Sequence, residues 1–390
     1  MRVTALAGEI PAALASALAA RGLDPVRAEA LARGGAPLAL LLEPLEESVV
    51  AALVAGAARA GLECVTGDGW AVLAGPLARL GGLARPGPSA AIPERLSLAL
   101  GRFLQQRQEA PGVWRTARRA LPLERSCVVG ILNVTPDSFS DGGRHLPLDA
   151  ALAAAGAMGE AGADVIDVGG ESTRPGAVRP DEAEELRRVV PVVQGVVART
   201  GLPVSVDTRR ARVAEAALAA GAEIVNDVSA LAADARMAEV VRAAGAGLVL
   251  MHMRGEPATM DALARYDDVA AEVAGELGER RDHALEAGIA RETVVLDPGL
   301  GFAKTAAHNL ALLDRLATLA ALGHPVMVGP SRKRFLGAVT GRPVDRRDAA
   351  TAAACVAARL RGAQLFRVHD VAAAREALAV ADAILAEREA

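Results

Sequence analysis

The stretch Val128-Val-Gly-Ile-Leu-Asn-Val-Thr-Pro-Asp-Ser-Phe-Ser-Asp-Gly-Gly143 decides how the rest of the chain is read. Its apolar run, Val128 to Leu132, reads as a buried parallel strand. The run stops at Asn133, and Thr135-Pro136-Asp137 through Gly142-Gly143 form a polar loop with turn residues. A hydrophobic strand that gives way abruptly to a polar, glycine-bearing loop is how α/β enzymes present ligand-binding groups at strand carboxyl ends. A single instance would be an ordinary strand and loop. Here the pattern recurs seven more times downstream.

Apolar strands are expected at about 128–133, 163–168, 203–207, 223–226, 247–251, 293–297, 325–329 and 364–369, alternating with helical stretches. Asp181-Glu182-Ala183-Glu184-Glu185 after Pro180 is an acid-rich first turn, and Arg209–Ala220 and Asp348–Leu360 are rich in Ala, Leu and Arg. Gly162, Gly221, Gly288 and Gly362 sit where helices should end before the next strand. Eight β-then-α units over about 260 residues predict a closed (β/α)8 TIM barrel over residues 123–390. A doubly wound open sheet is the alternative, but no G-x-G-x-x-G run follows the first strand. Residues 1–122 read as a small α/β module of unknown role. It has strands near Leu38–Leu42, Cys64-Val65 and Trp70–Leu73, and helices over Val49–Ala60, Pro76–Leu80 and Leu96–Gln108. No histidine occurs before His145, and no polar motif in this module suggests chemistry.

Of the 390 residues 52% are hydrophobic, 23% charged and 2% aromatic, a globular composition whose core must be built from Ala, Val and Leu. The net charge of −4, with dispersed basic residues, gives no case for a nucleic-acid partner. Cys64, Cys127 and Cys355 have neither disulfide nor metal-site spacing. No apolar run is long enough to span a membrane, so a soluble cytoplasmic protein is expected.

A barrel's active site is built where its strands end. These strands end in Asn133; Asp167 through Gly176; Asp207; Asn226-Asp227; Met251-His252-Met253-Arg254; Asp297 through Lys304; Gly329 through Lys333; and Arg367-Val368-His369-Asp370. Any one such Asp or Asn could simply cap the next helix. Eight polar ends at one mouth point to a site. Asp207, Asn226 and Asp297 offer acceptors and amide donors suited to a flat nitrogen heterocycle. Lys333, Arg367 and His369 offer positive charge for phosphate oxygens. Asn133 offers the neutral oxygen ligand that Mg²⁺ takes alongside water and substrate phosphate.

Residues 127–387 resemble dihydropteroate synthase of the folate pathway. Gly130–Gly143, Asp167–Gly176, Ser205–Thr208, Leu250–Gly255, Asp297–Lys304, Ser331–Lys333 and Arg367–Asp370 match that family's signatures in order. The resemblance implies a transferase that condenses 6-hydroxymethyl-7,8-dihydropterin diphosphate with 4-aminobenzoate, releasing diphosphate with Mg²⁺. It implies that Asp207, Asn226, Met251, Asp297, Phe302 and Lys333 hold the pterin. Asn133, Arg174, Arg367 and His369 would handle diphosphate, with Asn133 on the metal. Thr173, Arg174, Pro175, Phe302, Ser331 and Arg332 would form the aminobenzoate pocket. Asp207, Lys333, Arg367 and His369 would carry the catalysis. A homodimer is a family expectation. Leu300 and Ala303 depart from the family's usual Phe and Gly, and residues 1–122 lie outside its basic pattern. A barrel serving methyl transfer from methyltetrahydrofolate would share the pterin-holding residues but would not need Lys333, Arg367 and His369 together. A barrel kept only for binding would have lost strand-end residues, and none is missing.

Overall fold

A computed structural model describes residues 2–6, 39–74, 77–84, 92–108, 112–134, 146–171, 180–256 and 259–389. The chain divides into two compact units, one built mainly on residues 1–110 with 266–275 and 314–323, the other on 111–265, 276–313 and 324–390.

The first unit holds a four-stranded antiparallel sheet of β1 (Arg2–Leu6), β2 (Ala39–Glu43), β3 (Glu63–Gly67) and β4 (Trp70–Ala74), ordered β1-β2-β4-β3. Helices Glu47–Ala60, Leu77–Leu83 and Glu94–Gln108 accompany it. The core is aliphatic: Leu40, Leu42, Leu53, Leu73, Leu80, Leu96 and Leu100 are buried in one cluster. The strands and helices expected from sequence are present. Strand β1 was not foreseen, because five residues with one alternation carry little pattern.

The second unit opens with a hairpin, β5 (Val113–Arg115) and β6 (Ala120–Pro122), and continues into eight parallel strands. These are β7 (Cys127–Asn133), β8 (Val165–Gly169), β9 (Val204–Asp207), β10 (Ile224–Asp227), β11 (Gly247–Met251), β12 (Val294–Asp297), β13 (Met327–Val328) and β14 (Leu365–Val368). Neighbours pair in chain order, β14 returns to β7, and a parallel bridge between Leu296 and Val326 closes β12 onto the β13 segment. The eight strands fall where the apolar runs placed them. Asp181 caps helix Glu182–Thr200 by accepting the Glu184 N–H at 2.7 Å. Gly162, Gly221, Gly288 and Gly362 all take positive φ, as helix-ending glycines do.

The hairpin, which precedes the expected boundary after residue 122, clusters with the second unit. Trp114 is fully buried with Cys127, Val165, Ile224, Val295, Met327 and Leu365 and fills the barrel near the strands' starts. Its Nε1 donates to Thr293 O at 2.8 Å. Trp114→Phe keeps most of the volume but strands that carbonyl away from water. A loss of about 1–3 kcal/mol is expected in denaturant unfolding. A midpoint unchanged within error would show that the indole N–H contributes nothing.

Candidate active site

The strand carboxyl ends bring together Asn133, Asp167, Asp207, Asn226, Asp297 and Arg367. Register places Asn133 beside Gly169, Gly169 beside Asp207, and Asp207 beside Asn226. Side chains alternate along a strand, so Asp167 and Gly169 face the same way. A Cβ built on Gly169 would lie 3.5 Å from Asp207 Cβ and 3.7 Å from both Asn133 Oδ1 and Asp207 Oδ2. Glycine there keeps open a space flanked by two acceptor oxygens.

Arg367 is the centre of the polar network. Its Nε donates to Asp167 Oδ2 at 2.7 Å and its Nη2 to Asp207 Oδ2 at 2.8 Å. Asn226 Nδ2 donates to the same Asp167 oxygen at 3.3 Å. Asp167 is 1% exposed, and its Oδ1 has no hydrogen-bond partner among the described residues. A buried carboxylate oxygen without a partner is costly unless a ligand satisfies it. Burial pushes the Asp207 carboxyl up to about 7, against the pull of the Arg367 guanidinium. Burial likewise raises Asp297 to about 6, opposed by the Gly299 N–H, which donates to its Oδ1 at 2.7 Å.

Asp207 does not cap the helix that follows it. Helix Ala211–Ala219 has its first N–H taken by Asp234 Oδ2 at 2.9 Å. Asp227, by contrast, serves its own turn, accepting from the Ser229 and Leu231 N–H groups. The bland and functional readings of a strand-end acid are thus both realised, on different strands.

Opposite this network, Lys333 Nζ lies 4.2 Å from the centre of the Phe302 ring, a cation–π distance. Burial lowers Lys333 to about 8, with nearby Arg367 adding to the effect and Asp297 opposing it. Phe302 packs in an apolar cluster with Met251, Val228, Met260 and Ala303. Its loop is propped from behind by a chain that sequence reasoning did not single out. Lys304 Nζ donates to Phe302 O at 2.8 Å and to His252 Nδ1 at 2.9 Å, and His252 Nε2 meets Glu276 at 3.0 Å. Burial lowers His252 to about 4, so the imidazole is neutral and its Nε2–H donates to Glu276. Gly299 takes φ +66 with a built Cβ only 2.0 Å from His252 O, which only glycine permits.

Ser331 and His369 are joined: Ser331 Oγ lies 2.8 Å from His369 Nδ1 and accepts the His369 N–H at 3.1 Å. Arg332, expected in the aminobenzoate pocket, has a protein partner of its own. Its guanidinium donates to both oxygens of Asp348, at 2.7 and 2.9 Å, and so is committed to a neighbouring helix (Asp348–Arg359). Thr173, Arg174 and Pro175 lie outside the described residues. Asp167 stands among the strand-end residues but received no role from the sequence. Its signal was its alternation with Gly169 on a strand beside β9.

A parallel barrel whose mouth gathers three buried acids, two amides and two cations has the build of an enzyme that takes a polar small molecule at its strand ends. Residues 129–369 match the family model described as pterin binding enzyme. A dihydropteroate synthase of Mycobacterium leprae (strain TN) is 51% identical over 265 residues, covering 66% of this chain and 93% of that protein. A solved dihydropteroate synthase from Xanthomonas albilineans with 4-aminobenzoic acid superposes with a TM-score of 0.67 at 48% identity, covering 71% of this chain and 99% of that one. The same organism's enzyme in complex with 7,8-dihydropteroate gives 0.64 at 46%, covering 70% and 99%. The chain belongs to the pterin-binding enzyme family, and within it to the dihydropteroate synthases.

Proposed function

We infer that the mouth binds 6-hydroxymethyl-7,8-dihydropterin diphosphate and 4-aminobenzoate and joins them. The methylene C–O bond to diphosphate breaks, a C–N bond to the amine forms, and the amine gives up a proton. The observation that carries this reading is the Asp167 oxygen left without a partner among the described residues, within a cluster of Asp207, Asn226 and Arg367. Such a cluster offers acceptors and an amide to the ring edge of a pterin.

In this reading Asp207, Asn226, Asp297 and Lys333 hold the ring, and Met251 and Phe302 pack against it. Arg367 and His369 meet the diphosphate, with His369 held by Ser331. Because Arg367 also holds Asp167 and Asp207, the diphosphate and pterin halves share a residue. The two groups expected from sequence are not independent. Phe302 faces the aminobenzoate side in this reading, and the sequence resemblance assigns Thr173, Arg174 and Pro175 to the same substrate.

Mg²⁺ fits the acceptor-flanked space that Gly169 leaves beside Asn133, whose amide oxygen is a suitable ligand for an ion otherwise held by water and phosphate. When bound it neutralises charge on the departing diphosphate. Among the described residues no helix is long and apolar enough to cross a membrane. A cytoplasmic homodimer acting on small molecules, without nucleic acid, goes with this reading. The test is dihydropteroate formation from the two substrates with Mg²⁺ titrated against a chelator. Turnover that needs both substrates and rises with Mg²⁺ is expected. No product at saturating substrates would overturn the assignment, and full rate under chelation would remove the metal.

A further inference from the structure

Ser331-Arg332-Lys333 places two groups of the site on either side of a residue whose own side chain points elsewhere. Arg332 has φ +57, a left-handed conformation that a non-glycine residue keeps only when its surroundings fix it. Those surroundings come from one short segment. Asp348 takes the guanidinium at two oxygens, and Thr351 Oγ1 accepts the Arg332 N–H at 3.1 Å. Arg347 Nη1 donates to Arg332 O at 3.1 Å and to Lys333 O at 3.3 Å. Arg347 is itself held, since its Nε donates to Arg342 O at 2.9 Å. Its guanidinium also fills the space over Gly337, where a Cβ would come within 2.3 Å of Nη2. Every polar group of Arg332 described above is therefore used to fix the turn.

We propose that Arg332 is a positioning residue: gripped by Asp348, Arg347 and Thr351, it sets the placement of Ser331 against His369 and of Lys333 over Phe302. One turn thus holds the diphosphate-side imidazole and the pterin-side ammonium in register. The inference deepens the synthase reading and rests on it. It replaces the expectation that Arg332 forms part of the aminobenzoate pocket.

The two roles differ in kinetics. The full-length protein would be assayed as wild type, Arg332→Ala, Asp348→Ala and the double variant, with kcat, both KM values and a thermal melt for each. Loss of positioning should lower kcat by about ten- to a hundredfold in each single variant, with aminobenzoate KM within about threefold of wild type. The double variant should be no worse than either single, because one clamp is broken only once. Arg332→Lys, which lacks the two-nitrogen fork, should not restore kcat. Asp348→Asn, which keeps an acceptor and the side chain's shape, should fall in between, and it serves if an alanine variant fails to fold. A tenfold rise in aminobenzoate KM for Arg332→Ala, absent from Asp348→Ala, would overturn the proposal in favour of direct carboxylate binding. So would lowered melting points with unchanged kcat per folded molecule, or strictly multiplicative losses in the double variant. An inactive wild type would instead refute the synthase reading itself.

Discussion

Arg367→Ala is expected to destabilise the fold by about 3–5 kcal/mol at neutral pH. It should also lower kcat/KM for the diphosphate substrate by about ten- to a hundredfold. The first effect follows from what the guanidinium holds. Asp167 is 1% exposed and Asp207 is largely buried, and both lose their cation when Arg367 is removed. Breaking a buried pair from one side is costly because the remaining charge has neither water nor partner. The effect should depend on pH, with a definite sign. Burial already raises Asp207 above its unfolded value, and removing Arg367 can only raise it further. A carboxyl raised in the folded state costs stability as pH climbs from its unfolded pKa towards its folded one. The part of the melting deficit that comes from Asp207 should therefore open above about pH 7, where its carboxyl ionises in wild type but resists ionising in the variant, and be smaller on the acid side. Free pterin should also bind more weakly, since Asp207 loses its anchor. A variant that melts like wild type at neutral pH would show that the three groups do not act as a unit.

Asp207→Asn is expected to slow the chemical step by up to about a thousandfold while leaving the fold nearly intact. If the C–O bond breaks ahead of amine attack, positive charge develops on the methylene carbon and the conjugated pterin ring. A fixed carboxylate about 4 Å away, at an effective dielectric near 20, stabilises a full unit charge by about 4 kcal/mol. Only the part that appears between ground and transition state raises the rate, so this is an upper bound. Structure removes the competing explanation, because Asp234, not Asp207, caps helix Ala211–Ala219. The carboxyl must be ionised to act, and burial pushes it up to about 7. Wild-type kcat/KM should therefore fall on the acid side of about pH 7, and this limb should be weaker or absent in Asp207→Asn.

Much of this architecture was legible because the barrel repeats itself. Eight apolar runs, each ending in a polar residue, fix strand count and mouth together, and glycines such as Gly221 and Gly362 mark the helix ends. What alternation could not convey was which polar ends meet. Asp167 and Asp207 lie 40 positions apart in sequence, and Arg367 joins them from 160 positions beyond Asp207. Only barrel closure makes them neighbours. Arg332 was assigned to the aminobenzoate pocket through the family resemblance of Ser331–Lys333. Its commitment to Asp348 depends on a left-handed turn that no local residue type announces. Trp114 was passed over for a simpler reason: its hairpin strands have three residues each, too few to show a period.

The most direct test of the central claim, that a fixed carboxylate at the end of β9 stabilises a cation formed as diphosphate leaves, is single-turnover release of diphosphate. Wild type and Asp207→Asn would be compared at saturating substrate, with folding checked by thermal melt. The expected result is release slowed by about a hundred- to a thousandfold in the variant, with the melting point little changed. Release at the wild-type rate from a folded Asp207→Asn protein would contradict it.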